Sequence, residues 1–138
     1  MTHGYEVQDA TLIKTKALPN GAAAVNSTGF DLGAVSDNGA RLEDVELKLT
    51  APALAVADLA DTETMTYKVQ HDSAVAFGTA TTLYDAICVQ VGAGGAGAVA
   101  ETVRMKIPSN CKRYIRIVAT NSGAGDASDK SLTEELLF

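Results

Sequence analysis

The chain has 138 residues, a formal net charge of −6 at pH 7, 46% hydrophobic residues and only 5% aromatic ones. This length predicts one domain, with a core of small and branched side chains. An acidic chain is repelled by phosphate backbones, and no run approaches the roughly 18 apolar residues of a membrane span. We therefore expect neither a nucleic-acid nor a membrane partner. The first residues also lack the basic and apolar regions of a signal peptide.

Residues 1–22 do not show the alternation of a buried strand. Their apolar residues are irregularly spaced, and a Pro-Asn-Gly turn at 19–21 closes the segment. We interpret the segment as an extended arm that becomes ordered on a neighbouring molecule, with a reach on the order of 70 Å. The residues expected to contact that partner are Tyr5, Val7, Leu12, Ile13 and Leu18.

Three segments alternate apolar and polar residues with a period of two, which is typical of half-buried β-strands. Their apolar residues are Val45, Leu47 and Leu49 in 41–50, Met65, Tyr67 and Val69 in 62–70, and Val103, Met105 and Ile107 in 101–107. Further strands are predicted at 23–33, 82–91 and 111–120, and Ile87, Val89 and Val91 are expected to face the same way.

Two segments allow more than one interpretation. Residues 53–60 are rich in alanine and form either a short helix or a buried connection. In residues 131–138, Ser131 and Glu134 fit a helix capping box, but the leucine spacing favours a strand. Short strands separated by turns predict an all-β fold, an antiparallel β-sandwich of jelly-roll-like type over residues 23–138.

The chain offers few groups for catalysis or metal binding. His71, Asp72 and Ser73 are the residue types of a hydrolase triad, but they are consecutive, and neighbours in a strand point to opposite faces. Cys88 and Cys111 lack the spacing of a zinc site and are expected to be buried free thiols. We predict a protein that is not an enzyme, with no catalytic residue, no metal site and no cofactor.

Three other local patterns also have ordinary structural explanations. The glycine-rich stretch at 92–97 has no lysine and precedes a strand, so we interpret it as a flexible connection rather than a phosphate loop. Asp126 and Asp129 do not have the spacing of a calcium loop. A basic cluster is expected to be a solvated strand face and consists of Lys112, Arg113 and Arg116.

Three segments resemble the small cement, or decoration, proteins of tailed bacteriophages. In residues 9–33, DATLIKTKALPNGAAAVNSTGFDLG, an arm is followed by a Leu-Pro-Asn turn and a strand that ends in Phe-Asp-Leu-Gly. Residues 65–73, MTYKVQHDS, are similar to the strand of that group that leads into a Ser/Asp-rich loop. Residues 113–117, RYIRI, resemble the strand before its last loop. These segments lie between residues 9 and 117, so the resemblance spans most of the chain.

The resemblance implies a jelly-roll-like sandwich on the outer surface of an HK97-like capsid, where it bridges neighbouring major capsid proteins. It also implies a virion location after synthesis in the bacterial host cytoplasm, and it supplies no catalytic residues. The residues themselves favour the same kind of role, because a stiff sandwich with an arm is suited to adhesion. Copies that associate as dimers or trimers on a symmetric lattice would turn weak contacts into strong avidity.

Other functions remain open at this point. A different virion part, such as a head–tail connector or tail-tube subunit, would share the size and the strand content. A carbohydrate- or receptor-binding jelly roll is disfavoured because sugar sites usually stack a ring on Trp or Tyr, and the chain has no Trp and four Tyr. A small hydrolase would need a general base that the sequence does not offer.

Overall fold

The computed structural model describes residues 12–33 and 45–137 of the chain. Within these residues the protein consists of strands and turns, with no helix. The strands are β1 (Ile13–Ala17), β2 (Ala24–Asn26), β3 (Phe30–Asp31), β4 (Glu46–Ala51), β5 (Thr64–Asp72), β6 (Thr81–Val91), β7 (Glu101–Lys106), β8 (Tyr114–Asn121) and β9 (Ser131–Leu137). Tyr5 and Val7 lie outside the described residues, as does the start of the strand predicted at 41–50.

The strands form two antiparallel sheets that pack against each other. One sheet has the order β1-β9-β4-β7 and the other has the order β2-β8-β5-β6. β2 and β3 both pair with β8, at its residues 118–120 and 114–115 respectively, so they are two halves of one interrupted strand. With that strand counted once, the order of strands in the two sheets is that of a jelly roll. The predicted fold class is confirmed.

The core lies between the sheets, where the alternating residues of each strand meet. Val45, Leu47 and Leu49 are buried in and beside β4, and Met65, Tyr67 and Val69 are buried in β5, as the alternation predicted. Val103 and Met105 of β7 are partly buried and pack against the same cluster. Ile115 and Ile117 of β8 complete it from the second sheet. The period of two therefore identified the inner face of each of these strands.

The prediction for β6 is only partly right, because this strand is bulged. Its register with β5 shifts between the pairs Tyr67–Cys88 and Val69–Tyr84. Beyond the shift, Cys88 and Gln90 are buried while Val89 and Val91 are exposed. Ile87, next to the shift, packs against the core instead of sharing the exposed face. A bulge inserts extra residues in one strand and thereby breaks a simple alternation.

The predicted boundary between an arm at 1–22 and a sandwich at 23–138 is wrong for residues 12–22. Residues 13–17 are β1, which pairs along its whole length with β9. Leu18 is 2% exposed and belongs to the core, Leu12 packs against that core, and Ile13 is 54% exposed. The alternation of β1 was hidden in the sequence because Lys14 and Lys16 occupy its half-buried positions. Long lysine side chains can cover apolar surface at a sheet edge while their ammonium groups reach solvent.

Both ambiguous segments now have one interpretation. Residues 53–60 form a connection with a turn rather than a helix: Leu54 bridges Ala98, the side chains of Leu54 and Leu59 are buried, and residues 53 and 55–57 are exposed. Residues 131–137 are strand β9, which lies between β1 and β4. Leu132, Glu134 and Leu136 all point into the sandwich. The carboxyl group of Glu134 is unusual at such an inner position, and it accepts a buried hydrogen bond from Ser27.

Candidate interaction site

The residues predicted to contact a partner do not come together on one surface. Leu18 is enclosed in the core, Leu12 is half-buried against it, and only Ile13 is exposed. Tyr5 and Val7 lie outside the described residues. Of the predicted contact residues that the structure describes, Ile13 alone is exposed, and its contact with a partner stays a prediction.

His71 and Asp72 lie at the end of β5 and bond to neighbouring loop residues. The His71 Nδ1 atom accepts a hydrogen bond of 3.1 Å from the Lys112 backbone N–H. The Asp72 carboxylate is buried, and it accepts bonds from the backbone N–H groups of Ala74 and Thr79 and from the Thr79 hydroxyl. Burial by itself would raise the pKa of Asp72, but these bonds outweigh it and leave the pKa lowered.

The other candidate groups also have structural roles. Cys88 and Cys111 are free and buried, as expected. Asp126 accepts bonds from the Ser128 backbone N–H and hydroxyl, in a local turn. Across residues 12–33 and 45–137, no three His, Cys, Asp or Glu side chains come close enough to hold a metal ion. Residues 92–97 connect β6 to β7.

A surface cavity of about 230 Å³ lies where β3, β8 and the 73–80 loop meet. β1 supplies one wall through Lys14, and β3 and β8 supply others through aromatic side chains. The lining residues are Lys14, Thr28, Gly29, Phe30, Asp31, Val75 and Tyr114. The sequence analysis did not identify this site, because its residues come from four separate segments of the chain.

The break between β2 and β3 forms the floor of this cavity. Gly29 has a φ of +78°, and a Cβ atom there would collide with the Ile115 backbone carbonyl. The Gly29 N–H donates to Glu134 Oε1 at 3.3 Å, and the Gly29 carbonyl accepts from Lys14 Nζ at 2.7 Å. Lys14 and Glu134 of the first sheet therefore bond Gly29, while Gly29 packs closely against Ile115 of the second sheet.

The 73–80 loop forms the outer rim and is held in a strained conformation. Phe77 has a φ of 52°, which is rare for a residue with a side chain. The Arg116 guanidinium stacks 4.4 Å from the centroid of the Phe77 ring, and the same guanidinium donates to the Gln70 side chain. Together with the bonds to Asp72, these contacts fix a loop whose Val75 side chain is 72% exposed.

Charged groups of both signs surround the cavity, although the chain as a whole has a net charge of −6. Arg113 donates two bonds to the Asp31 carboxylate, at 2.8 and 3.0 Å, and this pairing lowers the pKa of Asp31. The expected solvated basic face is therefore partly engaged in ion pairing and ring stacking. The charged residues that line the cavity or bond to its lining residues are Lys14 and Arg113 on the basic side, and Asp31 and Glu134 on the acidic side.

Two local signals could have pointed to the site. Ser27-Thr28-Gly29 interrupts a predicted strand with a residue that tolerates a positive φ, and residues 71–78 place apolar residues in a loop next to a buried acid.

A comparison of the sequence with protein-family models and with curated proteins finds no match. No helix in the described part of the chain could span a membrane.

Proposed function

We propose that the protein is a capsid cement protein, which binds the outer surface of an HK97-like phage capsid and bridges neighbouring major capsid proteins. The observation that carries this proposal is a jelly-roll sandwich whose two sheets are joined by side-chain hydrogen bonds. Every buried side-chain nitrogen and oxygen in residues 12–33 and 45–137 has a hydrogen-bond partner. Such a molecule is suited to act through its outer surface.

Ties between the two sheets support a mechanical role. Ser27, beside the second sheet, donates to Glu134 of the first. The Gln90 side-chain amide donates to the carbonyls of Pro52 and Val99, and the Tyr67 hydroxyl donates to the Gln90 side-chain carbonyl. These bonds connect loops and strands across the sandwich, so a load applied to one sheet reaches the other through buried polar contacts.

Exposed aliphatic side chains supply surface for adhesion. This apolar surface is exposed to water in the isolated chain, and its burial by a partner would stabilise a complex. Many copies bound to a symmetric lattice need only modest contacts each, because avidity multiplies them. The valines concerned are Val75, Val89, Val91 and Val99.

We restrict the proposed partner-binding arm to residues that precede β1. β1 begins at Ile13, so the segment proposed to reach neighbouring subunits is residues 1–11, with Tyr5 and Val7 as its apolar contacts and the exposed Ile13 beside it. Leu18 no longer belongs to this set. The proposed partners are the major capsid protein and further copies of this chain, as a dimer or a trimer.

A truncation at residue 11 tests the arm without removing β1. Capsid shells assembled without the protein are incubated with the full chain or with the truncated chain, and occupancy is measured by sedimentation. We expect the full chain to bind and the truncated chain to lose most of its occupancy. Failure of the full chain to bind would overturn the cement role, whereas equal binding by both would overturn only the role of the arm.

A further inference from the structure

We propose that the connection between β7 and β8 contains an acid-sensitive flap, residues 108–112, which is closed while the His71 ring is neutral and opens when that ring takes up a proton. The flap belongs to the isolated chain and needs no partner, so it does not depend on the proposed function. Histidine is the side chain whose charge ordinarily changes between about pH 5 and 8, so it is suited to such a switch.

The flap is anchored at both of its ends. Just before it, the Ile107 N–H donates to the Val45 carbonyl at 3.0 Å. Just after it, the Arg113 carbonyl accepts from the Leu32 N–H at 2.8 Å. Between these two bonds the chain turns at residues 109–110, which are exposed to solvent. The middle of the flap can therefore move away while both ends stay on the sandwich.

Two contacts hold the middle of the flap in place. The Lys112 backbone N–H donates to His71 Nδ1 at 3.1 Å, and the Cys111 side chain is 1% exposed and packs in the core. The Cys111 N–H donates to the Pro108 carbonyl, and the Cys111 thiol donates to the Lys112 carbonyl, so these bonds stay within the flap. Within residues 12–33 and 45–137, the bond to His71 is the one hydrogen bond that ties residues 108–112 to a strand.

Protonation of His71 and this hydrogen bond exclude each other. A ring nitrogen accepts a hydrogen bond only while it carries no proton, and a protonated histidine has a donor at both nitrogens. On a protonated ring the Nδ1–H would face the Lys112 N–H, which places two donors together without an acceptor. His71 is 8% exposed, and a buried donor without a partner is costly. Movement of the flap away from the ring removes this conflict and admits water.

The surroundings of His71 favour the neutral ring while the flap is closed. Thr81 of β6 and Ile115 of β8 pair with His71 and carry no charge. Burial, followed by the charge of Lys112, lowers the pKa of His71 from 6.5, and the Asp72 carboxylate offsets part of this. Opening relieves the burial and moves Lys112 away. The closed form is therefore fully favoured above about pH 6.5 and loses this advantage as pH falls towards the lowered pKa.

The Cys111 thiol reports whether the flap is open, because it is enclosed in the closed form. The folded chain is labelled with a pyridyl disulfide, which reacts with thiols in acid as well as at neutral pH, and each rate is divided by that of the denatured chain at the same pH. We expect this ratio for Cys111 to rise below pH 6.5 by up to about tenfold per pH unit, as for one linked proton. Hydrogen exchange of the Lys112 amide should lose protection in parallel.

The free energy of unfolding separates opening of the flap from unfolding of the whole chain. We expect Cys111 to be labelled more than about tenfold faster than the free energy of unfolding at the same pH allows, because a local opening costs less than global unfolding. Low concentrations of denaturant should change this rate little, since a short segment exposes little surface. Labelling of Cys111 only at the rate set by global unfolding would overturn the inference.

Two substitutions of His71 separate the hydrogen-bond acceptor from the proton. His71→Gln keeps an acceptor and does not titrate, so Cys111 should be equally protected at pH 8 and pH 5.5. His71→Phe keeps a ring but has neither property, so Cys111 should be labelled rapidly at both pH values. A pH dependence in His71→Gln as steep as in the unmodified chain would overturn the inference. Full protection of Cys111 in a folded His71→Phe chain would overturn it too, and if that chain does not fold, the His71→Gln result decides.

Discussion

Ser27 and Glu134 are far apart in sequence, yet the Ser27 hydroxyl donates a buried hydrogen bond of 2.9 Å to Glu134 Oε2. The same hydroxyl oxygen accepts from the Ile117 N–H at 2.9 Å. The Ser27 side chain therefore links β8 to β9 at the point where the β2–β3 strand is interrupted. Its hydrogen bond also explains how a carboxyl group can occupy an inner position of β9. The interruption in turn exposes the cavity at Gly29.

The Ser27→Ala variant should be clearly destabilised, because it leaves both the Ile117 N–H and one carboxyl oxygen of Glu134 without this partner inside the sandwich. A buried group without its hydrogen bond costs about 1–3 kcal/mol, and more when the group is charged. Chemical denaturation measures the change in the free energy of unfolding. Ser128→Ala is the control, since its hydroxyl bonds Asp126 at an exposed turn and its loss should cost less than about 0.5 kcal/mol. Equal effects of the two variants would contradict the role given to Ser27.

Gly29 and Gly94 allow the effect of a close backbone contact to be separated from that of a positive φ. Both glycines have a left-handed backbone conformation, with φ of +78° and +64°, but a Cβ atom added at Gly94 would meet nothing within 4 Å. Gly94→Ala should cost about 1–2 kcal/mol, from conformation alone. Gly29→Ala should cost more, because the Cβ would also displace the Ile115 carbonyl. The melting temperatures of the two variants provide the comparison, and a smaller loss for Gly29→Ala would contradict it.

Stability should fall as the pH is lowered below about 6.5, through His71. Burial, followed by the charge of Lys112, lowers the pKa of His71 from its ordinary value of 6.5. The unfolded chain therefore takes up a proton at a higher pH than the folded chain does, so this contribution is complete above 6.5 and is lost as pH falls towards the folded pKa. The free energy of unfolding should change by no more than about 1.4 kcal/mol per pH unit, because only one proton is involved.

Denaturation curves between pH 8 and pH 5 check the His71 prediction. The His71→Gln variant has no titrating ring and keeps an acceptor for the Lys112 N–H, so its stability should vary less over this range. A slope as steep in the variant as in the unmodified chain would assign the pH dependence to other groups.

Neither cysteine should react with a thiol reagent in the folded protein at pH 8. Burial raises the pKa of the Cys111 thiol to about 12, and burial and the nearby Glu101 charge raise the pKa of the Cys88 thiol. The reactive thiolate is therefore scarce in both cases. The denatured chain should show rapid labelling of both. A Ser109→Cys variant, at an exposed turn, is the control that should react while folded, and rapid native labelling of Cys88 or Cys111 would contradict their assignment.

Much of the sandwich could be predicted because most of its strands have one buried and one solvated face. Val45, Leu47 and Leu49 are an example, since a period of two follows directly from the pleat. β1 was missed because Lys14 and Lys16 replace apolar residues on its inner side. β6 was partly misjudged because the register shift between Cys88 and Tyr84 interrupts its alternation next to Ile87, and such a shift depends on pairing with β5, which a single segment does not reveal.

The candidate site could not be predicted from one sequence for a different reason. Its walls depend on long-range pairings, such as Lys14 opposite Glu134 in the β1–β9 register and Asp31 opposite Tyr114 in the β3–β8 register. Short patterns carry no information about which distant strands become neighbours. Arg113 and Arg116 were correctly placed on a strand, but their partners Asp31 and Phe77 lie in other segments.

Electron cryomicroscopy of the phage particle to which the proposal assigns this chain tests the central claim most directly. The proposal predicts the jelly-roll sandwich in many symmetric copies over the outer shell, with residues 1–11 contacting neighbouring major capsid subunits. A single ring of copies at one vertex would identify a connector or tail component, and a shell without the protein on its outer surface would contradict the cement role.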